Sequence, residues 1–197
     1  TGGGPLYMSY HASDLAAPAD YFCAVGEGMR PSSPAAGDSA TLRAELGSLA
    51  PALAAGSEMR TYRLALAATA EFAADAAARI GLNNPTAAQL RAAALDAVTA
   101  RANMVNALYE REVSIHFNLV AGNEQLIFTD AASDPYTDSR MDFMLAENQA
   151  AVDAVIGSSG YDIGHVLGTA GGGIAYLGVT CHPTYKAGGV SGAGAAV

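Results

Sequence analysis

The stretch Gly173-Ile174-Ala175-Tyr176-Leu177-Gly178-Val179-Thr180-Cys181-His182-Pro183, followed by Gly188-Gly189-Val190, decides how this chain is read. Its first half is apolar, carries β-branched and aromatic side chains and is bounded by glycines, so it reads as a strand over 174–179. The Cys-x-Pro that follows turns the chain, because proline fixes φ and withholds an N–H. Gly171-Gly172-Gly173 separates this strand from a preceding one over 161–167.

Working outward, Met141, Leu145, Asn148, Val152, Val155 and Ile156 mark the buried face of a helix that Gly157-Ser158-Ser159-Gly160 stops. Residues 113–120 alternate apolar and polar with period two, which is a half-buried strand. Before it, Asn84-Pro85-Thr86 starts a long helix, with Leu90, Ala94, Val98, Val105, Leu108 and Tyr109 at near-helical spacing. Residues 61–68 read as a strand, although their alanines leave a helix open. Helices alternating with strands imply an α/β fold with a mostly parallel sheet. Residues 1–59 are rich in Gly, Pro, Ser and Ala and read as an extended segment and linker. It carries one short strand-like piece at 6–10, followed by Tyr21-Phe22-Cys23.

The 197 residues leave room for one sizeable domain plus an appendage. Ten Lys and Arg against nineteen Asp and Glu give a net charge of −9, with no basic stripe, so nucleic acid and anionic membranes are excluded as partners. Glu71, Asp75 and Arg79 interrupt the best alanine-rich run before it reaches membrane-spanning length. The chain opens at Thr1 without a signal-peptide pattern and ends on Gly194-Ala195-Ala196-Val197, so it is expected to be an internal piece of a longer polypeptide.

Chemical motifs are sparse. Gly189-Val190-Ser191-Gly192 is one residue short of G-x-S-x-G, the glycine run does not fit G-x-G-x-x-G, and there is no P-loop. His11, His116, His165 and His182 lie far apart, and no pair has the i, i+4 spacing of a helical zinc site. His116 and His165 sit inside strand patterns and read as structural or surface histidines. Cys23 and Cys181 are too few for a disulfide framework; they can bridge each other, stay free or pair elsewhere.

The 173–183 stretch resembles the reprolysin-like (adamalysin/ADAM-type) metzincin zinc metallopeptidases, whose pattern here is G-L-A-Y-V-G-x-x-C-x-P followed by glycine and valine at the same offsets. Further stretches resemble the family in the same order. Arg60-Thr61-Tyr62-Arg63-Leu64-Ala65-Leu66 is similar to its first strand. Asn106 to Ile115 is similar to the end of its first long helix and the second strand, and Tyr161 to Leu167 to its third strand. The resemblance covers residues 60 to about 192, and the insertions are similar in style to bacterial members. The sequence contains none of the family's H-E-x-x-H-x-x-G-x-x-H.

The resemblance implies the upper metzincin subdomain: a twisted, mostly parallel five-stranded sheet with an antiparallel edge strand and two long helices. It implies a pro-segment or linker over 1–59 and the N-terminal part of a catalytic domain over 60–197. It also implies zinc-dependent endopeptidase activity in the intact parent, with ligands and general base beyond Val197, so that this chain alone binds no zinc and is inactive. Gly173, Ile174, Ala175 and Tyr176 correspond to the strand that binds a polypeptide substrate. Asp162 corresponds to a calcium-binding aspartate, while Arg63 stands where the family often has a glutamate, so an Arg63–Asp162 ion pair replacing calcium is expected. Cys181 corresponds to a cysteine bridged to one further along, so no Cys23–Cys181 bond is expected. Phe22-Cys23-Ala24-Val25 is similar to the family's latch, in which a pro-segment thiolate occupies the zinc. The resemblance also implies secretion. The alternative is a non-catalytic metzincin-like extracellular binding or structural domain.

Overall fold

The computed structural model describes residues 22–23 and 58–193; the strand-like piece at 6–10 and most of the expected pro-segment lie outside the described residues. In chain order the elements are β1 (Phe22–Cys23), β2 (Arg60–Ala68), α1 (Ala70–Arg79), α2 (Ala87–Val113), β3 (Ile115–Leu119), α3 (Met141–Val155), β4 (Ile163–Gly168), β5 (Gly171–Ala175) and β6 (Gly189–Ala193). One sheet runs β1-β5-β6-β4-β2-β3. All pairings are parallel except β5 with β6.

The α/β class, the mostly parallel sheet and the antiparallel strand are as the sequence implies. Three details differ. The two residues of β1 add a sixth strand outside β5, from a stretch read as linker. The glycine run is not a separator but β5 itself, so this strand ends at Ala175 rather than continuing to Val179. Gly189–Ala193, unread as a strand, is β6, held between β4 and β5.

Strand β2 resolves the ambiguity left by its alanines. Leu64 to Ala68 are all buried, as befits a central strand covered on both faces. Leu64, Leu66 and Ala68 face one layer with Phe72, Ala94, Val98 and Leu167; Ala65 and Ala67 face the other with Met144, Val152, Val166 and Val190. Thr69 then ends the strand and caps α1, its Oγ1 accepting from the N–H of Phe72 at 3.2 Å.

Helix α2 opens on a capping box, with Thr86 and Gln89 satisfying each other's backbone N–H groups. Its buried residues are Ala93, Ala94, Val98, Ala102 and Asn106. Val105, Leu108 and Tyr109, read from spacing as core, are exposed instead. The helix contacts the sheet through alanines, and over 27 residues its inner stripe drifts away from the simple apolar repeat. Ser114, in the left-handed conformation, closes it and starts β3. Helix α3 keeps the expected face through Val152, but Val155 is exposed. No described helix is long and apolar enough to cross a membrane.

Candidate functional site

Strand β5 is built for close approach of another backbone. Gly171, Gly172 and Gly173 carry no side chains, and Gly172 has φ +105, a conformation L side chains rarely adopt. A Cβ on Gly173 would stand 3.0 Å from the Val190 carbonyl oxygen. On its inner side β5 pairs with β6, Ile174 opposite Val190 and Ala175 opposite Gly189, and the Tyr176 N–H donates to the Gly188 carbonyl at 2.9 Å. On its outer side it takes β1, with Phe22 opposite Gly172 and Cys23 opposite Gly173. Among the described residues the β1–β5 pairing ends there, and Ala175 is exposed. Since backbone groups alternate in direction along a strand, the N–H and C=O of Ala175 point to the outer side.

Just past the strand, Tyr176, Leu177, Val179 and Tyr185 line an open cleft of about 430 Å³. Tyr176 meets Tyr185 edge to face at 5.6 Å, and His182 stacks on Tyr185 at 4.9 Å.

The loop that carries this cleft is anchored from below by α3. Asn148, fully buried, donates from Nδ2 to the Ala187 carbonyl at 2.6 Å and accepts at Oδ1 from the Tyr136 hydroxyl at 2.9 Å. Gln149 Oε1 accepts from the Ala187 N–H at 2.9 Å, and its Nε2 donates to the Tyr161 hydroxyl and to Asp153. Tyr161 in turn donates to Asp153 at 2.9 Å; burial together with Asp153 raises its pKa. The backbone N–H and C=O of Ala187 are thus both held by consecutive side chains of one helix.

A second anchor is cationic. Arg63 and Asp162 are brought together as a fork: Nη2 donates to Oδ1 at 2.6 Å and Nε to Oδ2 at 3.1 Å. The Arg63 backbone N–H adds a bond to Oδ2 at 2.8 Å, and Nη1 donates to the Ser159 carbonyl at 2.8 Å. The guanidinium holds the Asp162 carboxyl below its usual range, and the carboxylate raises Arg63. Beside them Lys186, buried, donates to the carbonyls of Ser158 and Tyr161 and lies 4.2 Å from the Tyr161 ring centre. Sequence reading missed Lys186, because nothing local to it announces partners some 25 residues away. It also missed Asp138, which ties the ends of β2 and β4 by accepting from Thr69 Oγ1 at 3.0 Å and from Thr169 Oγ1 at 2.5 Å.

The histidines stay apart. His116 bonds Glu110 at 2.6 Å, which raises its pKa, and His182 Nδ1 accepts from the Thr184 N–H. His165 bonds Ser191 at 2.9 Å; desolvation between β4 and β6 pushes its pKa down to about 4. His11 lies outside the described residues. Among the described residues no three His, Cys, Asp or Glu side chains gather as a group that could hold a metal, so they do not fit a zinc site. Cys181 is free and exposed, its backbone at φ +61 with its N–H on the Asp162 carbonyl.

The mostly parallel α/β sheet with antiparallel β5 agrees with the scaffold that the stretches quoted above imply. The family model described as metallo-peptidase family M12B, reprolysin-like, matches residues 95–197, more than half of the sequence, and the chain belongs to that family of zinc-dependent peptidases. No curated protein and no solved structure matches it.

Proposed function

We propose that this chain is the scaffold and substrate-binding part of a zinc metalloendopeptidase that acts on polypeptides outside the cell. The observation that carries the reading is β5: its outer side accepts an extended backbone at Gly172 and Gly173, and among the described residues none pairs with Ala175 on that side. Gly173, Ile174, Ala175 and Tyr176 bind substrate through main-chain hydrogen bonds, which supply affinity with little side-chain selectivity. These 197 residues contain no H-E-x-x-H-x-x-G-x-x-H, and on this reading they do not cleave peptide bonds by themselves. Residues 1–59 serve as a pro-segment, and Cys23 as its latch; the pairing of Cys23 with Gly173 supports this by setting that cysteine on the substrate strand. Arg63 stands in for a calcium ion at Asp162, which the four hydrogen bonds from Arg63 support.

The test compares this chain with a longer polypeptide that joins it to an H-E-x-x-H-x-x-G-x-x-H segment, in hydrolysis of a denatured protein substrate, with and without a chelator. Chelator-sensitive cleavage by the longer polypeptide alone is expected. Zinc-dependent cleavage by the 197 residues would overturn the division of labour, and no cleavage by either would leave a non-catalytic binding domain.

A further inference from the structure

We propose that residues 41–55 of this chain cover an apolar stripe on the C-terminal half of α2, seating Leu42, Leu46, Leu49 and Leu53 against Met104, Val105, Leu108 and Tyr109. This contact is independent of β5 and lies beside the opposite edge of the sheet, at β3.

Burial in the described fold does not account for the stripe. Helix α2 buries Ala102 and Asn106, yet Met104 is 68 % and Leu108 52 % exposed, with Val105, Tyr109 and Val113 exposed beside them. Residues 104, 105, 108 and 109 have the i, i+1, i+4, i+5 spacing of one helix side. The apolar surface continues off the helix. The Tyr109 ring lies 5.3 Å from that of Phe117 on β3, and Phe117 lies 6.4 Å from Tyr62 on β2. Met59, just before β2, is exposed as well. Apolar surface gathered in this way marks a contact.

Position selects the occupant. The Arg60 N–H donates at 2.8 Å to the carbonyl of Ser114, the residue that closes α2, so chain entering β2 passes the C-terminal end of the stripe. Residues 41–55 stand just ahead of that point. The other tether is Cys23 on β1, four strand spacings from β2. That gap is roughly 19 Å, which about six extended residues bridge. Residues 24–57 hold far more chain than the gap needs, and tethering keeps the surplus at high local concentration beside α2.

Pattern agrees with position. Within this linker-like stretch, leucines at 42, 46, 49 and 53 recur at intervals of four, three and four, the repeat of one apolar helix side. Gly47 divides the stretch into two short pieces, each presenting one pair of leucines. At helical rise Leu42 to Leu53 spans roughly 16 Å and Met104 to Val113 roughly 14 Å. The two stripes therefore match in length when they run parallel, with Leu53 nearest Val113 and Leu42 nearest Met104.

The experiment uses the whole chain with labelled methionine and leucine methyl groups. Nuclear Overhauser contacts from the Met104 and Leu108 methyls to leucine methyls of residues 41–55 are expected, within one copy and at every protein concentration. In the double variant Leu46→Asp, Leu49→Asp these contacts should vanish. Amide exchange at Leu108 and Tyr109 should then accelerate about ten-fold while β2 and β6 stay unmoved. The wild-type contacts decide the matter even where the double variant fails to fold: their absence overturns the proposal. Contacts seen only between labelled and unlabelled copies mixed together would give the stripe to a second copy and overturn it too. Unchanged exchange at Leu108 in a folded double variant would show that these leucines do not seat there.

Discussion

The two faces of the sheet are held by different physics. On the face covered by α1 and α2 the core is Leu64, Leu66 and Phe72 set among Ala73, Ala76, Ala77, Ala93 and Ala94, with Val98 behind them. Small residues bring helices and sheet close, and each buried methyl contributes only about 0.8 kcal/mol, so the few large side chains carry much of the burial. On the α3 face Met144, Val152 and Val166 share the interior with Asn148, Tyr136 and Tyr161, whose polar atoms find partners across long sequence distances. One face is a packed wall. The other is wired to the loop behind β5, where the candidate site lies.

The largest effect is expected on the packed wall. Phe72→Ala should cost about 3–5 kcal/mol, since half or so of its core cluster is alanine, with little length to fill the gap, and the Arg101 guanidinium would lose the ring it covers. Urea denaturation monitored by circular dichroism measures it. A cost below about 1 kcal/mol would mean that the wall collapses freely, and the contrast between the faces would lose its basis.

On the wired face Asn148→Leu should cost about 2–3 kcal/mol despite similar volume, because the buried Tyr136 hydroxyl loses its acceptor and the Ala187 carbonyl keeps only the Gly189 N–H. Unlike Phe72→Ala, the damage should be directional. Hydrogen exchange should accelerate at Tyr176 and Gly189, whose N–H groups close the loop, before it does in β2. Uniform acceleration would show that Asn148 serves packing alone.

The same contrast explains what was legible in the sequence. Apolar periodicity reports local burial, so a strand over β2 (with a helix left open), the start of α2 and most of the inner face of α3 were legible. It failed where neighbours, not the residue, decide. Gly189-Val190-Ser191-Gly192 has poor strand propensity but is paired on both sides by β4 and β5. The glycines of β5 were read as a break because propensity is blind to a strand that needs no side chains. Val105, Leu108 and Tyr109 fell outside the core because alanine, not leucine, marks the inner stripe of α2. At the site, Arg63 and Asp162 were found through resemblance, whereas Lys186, Asn148 and Gln149 act through backbone groups and leave no pattern.

A smaller effect, set by pH, belongs to His165, which sits between the faces' contributions at the β4–β6 seam. Its pKa falls from an ordinary 6.5 to about 4 because burial disfavours the imidazolium. Between these values the unfolded chain binds the proton and the folded chain does not, so stability is lost as pH falls through that window, by about 1–3 kcal/mol. His165→Gln should flatten that slope. His116 acts with the opposite sign: Glu110 raises its pKa, so its contribution is present at low pH and fades as pH rises through the raised value. His116→Asn serves as the control, and an unchanged slope in His165→Gln would place the acid sensitivity elsewhere.

The smallest expected effect tests whether the cationic anchor replaces a metal. Arg63 is half exposed, so the fork with Asp162 should add little to global stability, and Arg63→Ala should barely move the melting temperature. The informative variant is Arg63→Glu. It restores a carboxylate beside Asp162 and frees the Ser159 carbonyl, leaving hard oxygen donors on one side of the loop. Without calcium the two carboxylates repel and Arg63→Glu should melt below wild type. With millimolar calcium it should recover by a few degrees, in proportion to the logarithm of calcium concentration once the ion is in excess, while wild type and Arg63→Ala stay unmoved. Magnesium should do less, because the loop offers irregular rather than octahedral geometry. A wild-type melting temperature that climbs with calcium would show that Arg63 does not exclude the ion. Recovery absent from Arg63→Glu would show that the pair is an ordinary surface fork, and the role of Lys186 in holding Ser158 and Tyr161 would then suffice to explain the order of the loop.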